Sequence, residues 1–313
     1  MTGAEITLTF LGTGSAVPGN DRQQSSFVLR HQNGLVMFDC GEGTQYALRK
    51  YGISTRKEMV IWISHLHSDH FLGLPGLLSS FELLGRQEPI TIVGPQGLAQ
   101  TVQNLVIANY VRCTFELKVV ELEPKQIFEG NGYTLHTIKA RHQANALSVE
   151  WRENSFPGKV DIKKLESLDL EPGPYIGKLQ DGETVEIEGQ TVTPDMIIGP
   201  IRRGRSVVYS GDTAFNEDLA KSFQHIDVLV HEGTYPSDRE ELAAERQHTT
   251  IRQAARIAEL MKPSILLITH ISPRIRDFDQ QIRQNREIFE PMQFTYQGFE
   301  YKIDYPYHDK MNI

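Results

Sequence analysis

This 313-residue chain contains only two cysteines, no excess of basic residues and no long apolar run. The two cysteines, Cys40 and Cys113, lack CxxC spacing, which excludes a disulfide framework and a thiolate zinc site and favours a reducing, cytoplasmic compartment. No apolar run approaches the roughly 18 residues that a membrane span requires, and the first residues lack the pattern of a signal peptide. We therefore expect no attachment to a membrane.

Positive charge is also in deficit, because 32 lysines and arginines face 40 aspartates and glutamates, a formal net charge of −8. This balance disfavours proteins that bind nucleic acid through bulk charge, since such proteins are usually strongly basic. A hydrophobic content of 39% and a charged content of 23% are typical of a folded globular chain. There is no internal repeat, and neither a GxSxG nucleophile motif nor a Walker sequence occurs.

Short apolar segments alternate with helical stretches, and this alternation predicts sheets covered by helices. The strand candidates, most of them bounded by polar, Gly or Pro residues, are residues 5–12, 25–30, 35–40, 59–64, 90–94, 206–212, 227–233 and 264–270. Helices are predicted over residues 42–52, 70–85, 96–110, 249–261 and 278–288.

Residues 154–194 depart from this rhythm, because prolines and glycines crowd into their first part. The composition predicts an inserted arm that cannot build a core of its own, rather than a second domain. A long surface loop is the alternative interpretation.

The strongest chemical signal is the hexapeptide HLHSDH (65–70), which directly follows a predicted buried strand. His65 and His67 are two residues apart, so an extended backbone directs both side chains to one side. Asp69 and His70 follow where the chain turns into a helix, and they can face a second ion. Imidazole and carboxylate ligands suit zinc, and they are compatible with manganese and iron.

Three further ligand types follow later strand-like segments, at the sheet edge where α/β proteins place their sites: His142 after YTLHTIKA (133–140), and Asp212 and His270 at the ends of their strand candidates. Each alone is more simply explained as a capping or surface residue, but together with the hexapeptide they complete two sites. We assign His65, His67 and His142 to one ion and Asp69, His70 and His270 to the other, with Asp212 bridging. Two ions about 3.5–4 Å apart can promote a phosphoryl displacement.

Glu232 and His248 form a second candidate pair, since Glu232 ends a buried strand and His248 precedes a helix. A glutamate that orients a histidine makes a competent proton donor for a leaving group. A strand-end glutamate that caps a helix is the alternative.

HLHSDH, together with His142, Asp212 and His270, resembles the metallo-β-lactamase superfamily. Several segments resemble the ribonuclease Z family of tRNA 3′-processing endonucleases in particular: FDCGEGTQ (38–45), SHLHSDHFLGLPGLL (64–78), YSGDT (209–213), HEGT (231–234), QHTT (247–250) and THIS (269–272). LEPGPYIGKLQDG (170–182) resembles the Gly-Pro-rich exosite arm with which the short form of that family grips the tRNA elbow.

The resemblance implies an α/β fold of the metallo-β-lactamase type, an αββα sandwich, as a single domain over residues 1–313 with a flexible, tRNA-binding exosite arm inserted at about 154–194. It implies a cytoplasmic homodimer with two zinc ions per subunit, with no other protein partner evident. The enzyme would remove the 3′ trailer from precursor tRNA, leaving a 3′-hydroxyl on the tRNA and a 5′-phosphate on the trailer. The family's seven metal ligands match the positions assigned above; Asp69 becomes the general base, and Glu232 with His248 protonates the leaving oxygen.

Binding of RNA requires cations, and two arginine-rich runs flank the predicted site. We expect RNA contacts from the arm and from these runs: Gly173, Pro174, Lys163, Lys164, Arg202, Arg203, Arg205 and Arg274. Ordinary solvated turns are the alternative for the runs. The chain departs from the family pattern at Thr249, where a serine is frequent, and after His270, where Arg274 lacks the aromatic partner that often accompanies it.

Two other functions stay open on the sequence alone. A dinuclear hydrolase of the same fold, acting on a thioester, a lactone or an arylsulfate, would share the metal ligands but would not need the arm or the Glu232–His248 pair. A non-catalytic RNA-binding member of the superfamily usually loses ligands, whereas all seven are present here.

Overall fold

The computed structural model describes residues 5–19, 22–107, 113–187 and 189–305. The strands in chain order are β1 (Ile6–Gly12), β2 (Ser26–His31), β3 (Gly34–Phe38), β4 (Glu58–Trp62), β5 (Ile90–Pro95), β6 (Leu117–Leu122), β7 (Ile127–Gly130), β8 (Tyr133–Lys139), β9 (Leu147–Glu153), β10 (Val185–Ile187), β11 (Gln190–Val192), β12 (Ser206–Tyr209), β13 (Val228–Glu232), β14 (Ile265–Thr269), β15 (Met292–Phe294) and β16 (Glu300–Ile303). Every predicted strand is confirmed.

The helices in chain order are α1 (Thr44–Lys50), α2 (Ser68–Phe71), α3 (Gly73–Leu83), α4 (Leu98–Val102), α5 (Ile162–Ser167), α6 (Tyr175–Gln180), α7 (Pro194–Ile197), α8 (Asp218–Ser222), α9 (Glu240–Arg246), α10 (Ile251–Met261) and α11 (Phe278–Arg286). A π-helical turn, Gln103–Ile107, extends α4, and the end of the predicted helix 96–110 lies outside the described residues. The predicted helix 70–85 is divided into α2 and α3. No helix in the described part of the chain combines the length and apolar character needed to cross a bilayer.

Two large sheets can be traced in the described residues, each with seven strands. The first has the order β16-β1-β2-β3-β4-β5-β6 and the second the order β15-β14-β13-β12-β9-β8-β7. Strands β3 to β6 are parallel in the first sheet, and β12 to β15 are parallel in the second. Because parallel strands end at the same edge, the side chains that follow them meet there.

Three apolar clusters bind these layers together. The inner faces of the two sheets enclose a cluster that includes Phe38, Trp62 and Trp151. The outer face of the first sheet packs against α1, α3 and α4, and that of the second packs against α8, α10 and α11. The expected αββα sandwich is therefore confirmed.

Residues 153–204 form a separate compact unit that contains α5, α6, α7 and the β10–β11 hairpin. Its small core consists of buried apolar side chains: Leu165, Leu170, Leu179, Val192 and Ile197. The expectation that this segment cannot build a core is therefore wrong. These residues are spread singly among charged residues, prolines and glycines, so no apolar run marks the cluster in the sequence.

The first and last residues of this smaller unit lie next to each other. Phe156 pairs with Arg202, and Val160 pairs with Ile198, in antiparallel bridges. Gly204 lies so close to the backbone of Glu153 that a Cβ on Gly204 would come within 1.9 Å of the carbonyl oxygen of Glu153. The two ends of the insertion therefore run side by side.

Candidate metal centre and proton-donor pair

Three imidazoles converge beyond the carboxyl ends of β4 and β8. His65 and His67 follow β4, His142 follows β8, and one ring nitrogen of each lies within 4.8 Å of the others. Nδ1 of His67 and Nε2 of His142 are 3.1 Å apart. Nδ1 of His142 donates to the carbonyl oxygen of Gln247 at 2.9 Å, which leaves the lone pair of its Nε2 available to a ligand.

A second ligand group lies directly beside the first and is fully buried: Asp69, His70, Asp212 and His270. Oδ2 of Asp69 is 3.2 Å from Nε2 of His270. Oδ2 of Asp212 is 3.3 Å from Nε2 of both His70 and His270. The same oxygen is 3.7 Å from Nε2 of His65, so Asp212 lies between the two groups.

The chemistry of this donor set fits two divalent cations. Among the described residues, Nε2 of His65, Nε2 of His70 and Oδ1 of Asp212 are buried without a hydrogen-bond partner, which is rare unless another ligand satisfies such atoms. Burial lowers the pKa of His65 well below its usual value, and the neutral imidazole is the form that binds metal. Burial opposes charge on His70, but the carboxylates of Asp212 and Asp39 raise its pKa well above the usual value. These carboxylates therefore need positive charge beside them, which either a proton or a metal ion supplies.

The pair predicted to donate a proton, Glu232 and His248, adjoins the ligand groups. Glu232 ends β13, is fully buried, and accepts a hydrogen bond on Oε1 from Nδ1 of His248 at 2.9 Å. The same carboxylate accepts the backbone N–H groups of Thr213 at 2.8 Å and Thr249 at 3.1 Å. Burial opposes charge on His248, but Glu232 raises the pKa of His248 to about 9. With Nδ1 held by Glu232, the protonated ring carries its transferable proton on Nε2.

Two family models match this chain: the Anti-Pycsar protein Apyc1 over residues 6–156 and the Beta-lactamase superfamily domain over residues 182–271. The ribonuclease Z of Methanosarcina mazei is 35% identical over 301 residues, which cover 96% of this chain and 99% of the relative. The ribonuclease Z of Prochlorococcus marinus is 39% identical over 277 residues, covering 86% and 89%. The chain belongs to the ribonuclease Z family. The crystal structure of human tRNase Z, short form, has a TM-score of 0.68 at 24% identity, covers 95% of this chain and 99% of that one, and shows a shared fold.

All the metal and proton-donor residues expected of a ribonuclease Z lie in one cluster of this structure: His65, His67, Asp69, His70, His142, Asp212, Glu232, His248 and His270. Their contacts agree with the predicted division into two ligand groups and one polar pair. The role of each residue in catalysis stays a prediction.

The predicted RNA contacts lie in different settings. Lys163 and Lys164 are exposed on α5, Gly173 and Pro174 immediately precede α6, and Arg274 is exposed after His270; Arg202 and Arg203 are half-buried in the smaller unit.

Arg205 requires a correction. It is only 3% exposed, donates to the carbonyl oxygen of Ile303 at 3.3 Å, and lies over the ring of Tyr305. Because a guanidinium held inside the larger unit cannot reach a phosphate, we withdraw Arg205 from the RNA contacts.

Sequence reasoning missed two polar residues of the site. Asp39, which directly follows β3, accepts hydrogen bonds from several groups around the ligands. Thr234 donates from Oγ1 to Oε2 of Glu232 at 2.5 Å, and the same hydroxyl lies 2.7 Å from Nδ1 of His270. Both residues stand in segments that carry the family resemblance, FDCGEGTQ (38–45) and HEGT (231–234), and the strand-end position that singled out Asp212 also marks Asp39. These segments carry the resemblance as a whole, and sequence reasoning gives neither residue a role.

The contact between Glu232 and His248 predicts a pH-dependent contribution to stability in the metal-free chain. The folded-state pKa of His248 lies above its unfolded value, so the stabilisation is complete below about pH 6.5 and is lost as the pH rises through about 9. We expect the free energy of unfolding of the wild type to exceed that of His248→Ala by about 3 kcal/mol more at pH 6.5 than at pH 9.5, since one pKa unit corresponds to about 1.4 kcal/mol and the pKa rises from 6.5 to about 9.

The measurement is denaturant unfolding of chelator-treated protein across this pH range. Glu232→Gln removes the carboxylate that raises the pKa of His248, and its profile should follow that of His248→Ala. A constant difference between wild type and His248→Ala from pH 6.5 to 9.5 would contradict the assignment of the shift to this pair.

Proposed function

We propose that the chain is a metal-dependent endoribonuclease that removes the 3′ trailer from precursor tRNA. The observation that carries the proposal is the placement of a proton-donor pair directly beside two groups of metal ligands. Rings of His248 and His142 have centroids 5.1 Å apart, and those of His248 and His270 are 5.4 Å apart. A phosphodiester held by the ligand groups would therefore have its leaving oxygen within reach of His248.

Bound at the two ligand groups, divalent cations would supply Lewis acidity that favours water ionisation and stabilises negative charge on the phosphate. The hydrogen bonds and charges of His270 and His70 outweigh the burial of Asp69 and lower its pKa, so its carboxylate is ionised. In the proposed reaction this carboxylate accepts the proton of the attacking water. His248, held by Glu232, donates from Nε2 to the departing O3′. The products are a tRNA with a 3′-hydroxyl and a trailer with a 5′-phosphate.

We infer two zinc ions per subunit, since three imidazoles in one group and mixed imidazole and carboxylate ligands in the other match the ligands that zinc takes. Manganese and iron accept the same ligands. We also infer a cytoplasmic location, which the free thiols of Cys40 and Cys113 support.

The smaller unit is proposed to bind the folded part of the tRNA. Its α5 exposes Lys163 and Lys164, its α6 exposes Lys178, and Gly173 with Pro174 leads directly into α6. Exposed lysines suit recognition of a structured RNA by its shape and backbone rather than by its base sequence.

We propose that two copies of the chain associate through the surface formed by α1 and α3. Tyr46 is 70% exposed there, and Leu83 and Leu84 are 85% and 73% exposed. These residues border a cavity of about 290 Å³ between the helices. An exposed apolar patch with a pocket is typical of a contact with another protein surface.

The decisive experiment is incubation of zinc-loaded protein with a 3′-extended tRNA transcript, followed by mapping of the product ends. His248→Ala should keep its metal content and lose about 10²–10⁴-fold in turnover, which is the usual contribution of general acid catalysis. Hydrolysis of bis-p-nitrophenyl phosphate should fall far less, because p-nitrophenolate leaves without protonation. Equal losses on both substrates would contradict the proton-donor role, and hydrolysis of a thioester, lactone or arylsulfate without tRNA cleavage would contradict the proposed function.

Excision of residues 155–203, with a short Gly-Ser linker between the adjacent ends, tests the smaller unit. We expect precursor tRNA binding to weaken by at least about tenfold, because phosphate contacts dominate such affinities, while bis-p-nitrophenyl phosphate turnover is retained. The pair Lys163→Ala and Lys164→Ala should weaken tRNA binding in the same direction, with Lys118→Ala on β6 as the control. If excision lowers both activities equally, the unit is structural.

Leu83→Asp combined with Leu84→Asp tests association of the chain. Sedimentation velocity should show a dimer for the wild type and a monomer for the double variant, since buried charge is strongly unfavourable at an interface. Leu260→Asp is the matched control, because Leu260 is an exposed leucine on α10. A monomeric wild type, or an unchanged dimer in the double variant, would contradict this surface.

A further inference from the structure

A single buried carboxylate contacts His70 of the second ligand group directly and reaches His65 of the first group through Ser64. Asp39 follows β3, is completely buried, and adopts a left-handed backbone conformation with φ of 57°. A non-glycine residue with positive φ is uncommon, and it persists where the surroundings fix it. In this structure, hydrogen bonds from Ser64 and His70, which belong to the ligand-bearing segment, fix the conformation of Asp39.

Four hydrogen bonds converge on this carboxylate. Oδ1 accepts the backbone N–H of Ser64 at 2.7 Å, and Oδ2 accepts the hydroxyl of Ser64 at 2.9 Å. Oδ2 also accepts Nδ1 of His70 at 2.7 Å and the hydroxyl of Tyr209 at 2.7 Å. Ser64 immediately precedes His65, so the carboxylate holds the start of the ligand segment and its last residue together.

These bonds determine which nitrogen of each ring is free. A carboxylate accepts hydrogen bonds, so Nδ1 of His70 keeps its proton, and the neutral, metal-binding form of the ring has its lone pair on Nε2. The hydroxyl hydrogen of Ser64 is engaged by Asp39, so its oxygen, 3.0 Å from Nδ1 of His65, accepts the proton of that ring. Nε2 of His65 is therefore also free, and both free nitrogens face Asp212 at 3.7 Å and 3.3 Å.

We propose that Asp39 and Ser64 are positioning residues that couple the two metal-binding groups of the proposed enzyme. Asp39 orients His70 of the second group directly, and it orients His65 of the first group through the Ser64 hydroxyl. Removal of the Ser64 hydroxyl then affects the first group alone, whereas removal of the charge on Asp39 affects both. The proposal rests on the proposed metal centre.

The close approach of a third segment explains why this arrangement is tight. Gly211 has φ of 57°, and a Cβ there would lie 2.9 Å from Cβ of Ser64. Glycine at this position allows the loop that carries Asp212 to pass directly over Ser64. Tyr209, two residues earlier, reaches Asp39 from the opposite sheet, so the segments that carry His65–His70 and Asp212 meet at one carboxylate.

The test is a zinc titration of the metal-free full-length chain, in competition with a chromophoric chelator. The wild type should bind two ions. Ser64→Ala should weaken one of the two by about tenfold and leave the other unchanged, and Asp39→Asn should weaken both by about 10–100-fold, which is the usual cost of losing a partner that orients a ligand. Ser206→Ala is the matched control, since Ser206 is also a buried serine whose hydroxyl donates to a carboxylate, that of Glu150 at 2.7 Å.

Denaturant unfolding of the metal-free variants separates loss of affinity from loss of folding. If Asp39→Asn fails to fold, Ser64→Ala still tests the proposed coupling. The Ser64→Ala substitution removes one oxygen and no charge, so we expect it to fold. Two wild-type affinities in folded Ser64→Ala, or equal weakening at both positions, would overturn the proposed coupling. A wild-type chain that binds no zinc would instead contradict the proposed function, on which the coupling depends.

Discussion

Face-to-face packing of the two large sheets holds together the strand ends that carry the site. Phe27 and Phe38 stack at 4.6 Å in the first sheet, and Tyr209 of the second sheet meets Phe27 edge-on at 5.1 Å. The segment 65–70 comes from the first sheet, whereas His142, Asp212 and His270 come from the second. A relative shift of the sheets would separate the ligands, so the apolar core between them is what fixes the distances in the site.

Electrostatic balance imposes the second constraint on this site. Four carboxylates are buried beside several imidazoles: Asp39, Asp69, Asp212 and Glu232. Such groups are stable in the interior only when hydrogen-bonded and matched by positive charge. In the metal-free protein, protonated His70 and His248 provide that charge. Cation binding at the ligand groups would therefore release the proton of His70, and metal affinity would rise with pH over the range where that ring titrates.

The sequence allowed prediction of the sandwich and its ligand groups, because strand ends in a parallel sheet share an edge and ligand types stand at those ends. His65 and Asp212 are examples. Asp39 was missed because a lone aspartate after a strand resembles a turn residue until its partners are known. The small core around Leu165 and Leu179 escaped detection because its residues come from distant short elements. Arg205 was misjudged, since charge in a sequence does not reveal whether neighbouring backbone carbonyls will bury it.

Adjacency of Glu153 and Gly204 also bears on how this chain folds and varies. The larger unit can pair β9 with β12 by closing a single loop, and the entropy of closing a loop grows only with the logarithm of its length, about 0.6 kcal/mol for each doubling. Lengthening, shortening or replacing the insertion therefore costs the sheet little. Mutation can reshape the inserted unit almost independently of the metal centre. The insertion is therefore the natural place for proteins of one fold to diverge in the substrates that they bind.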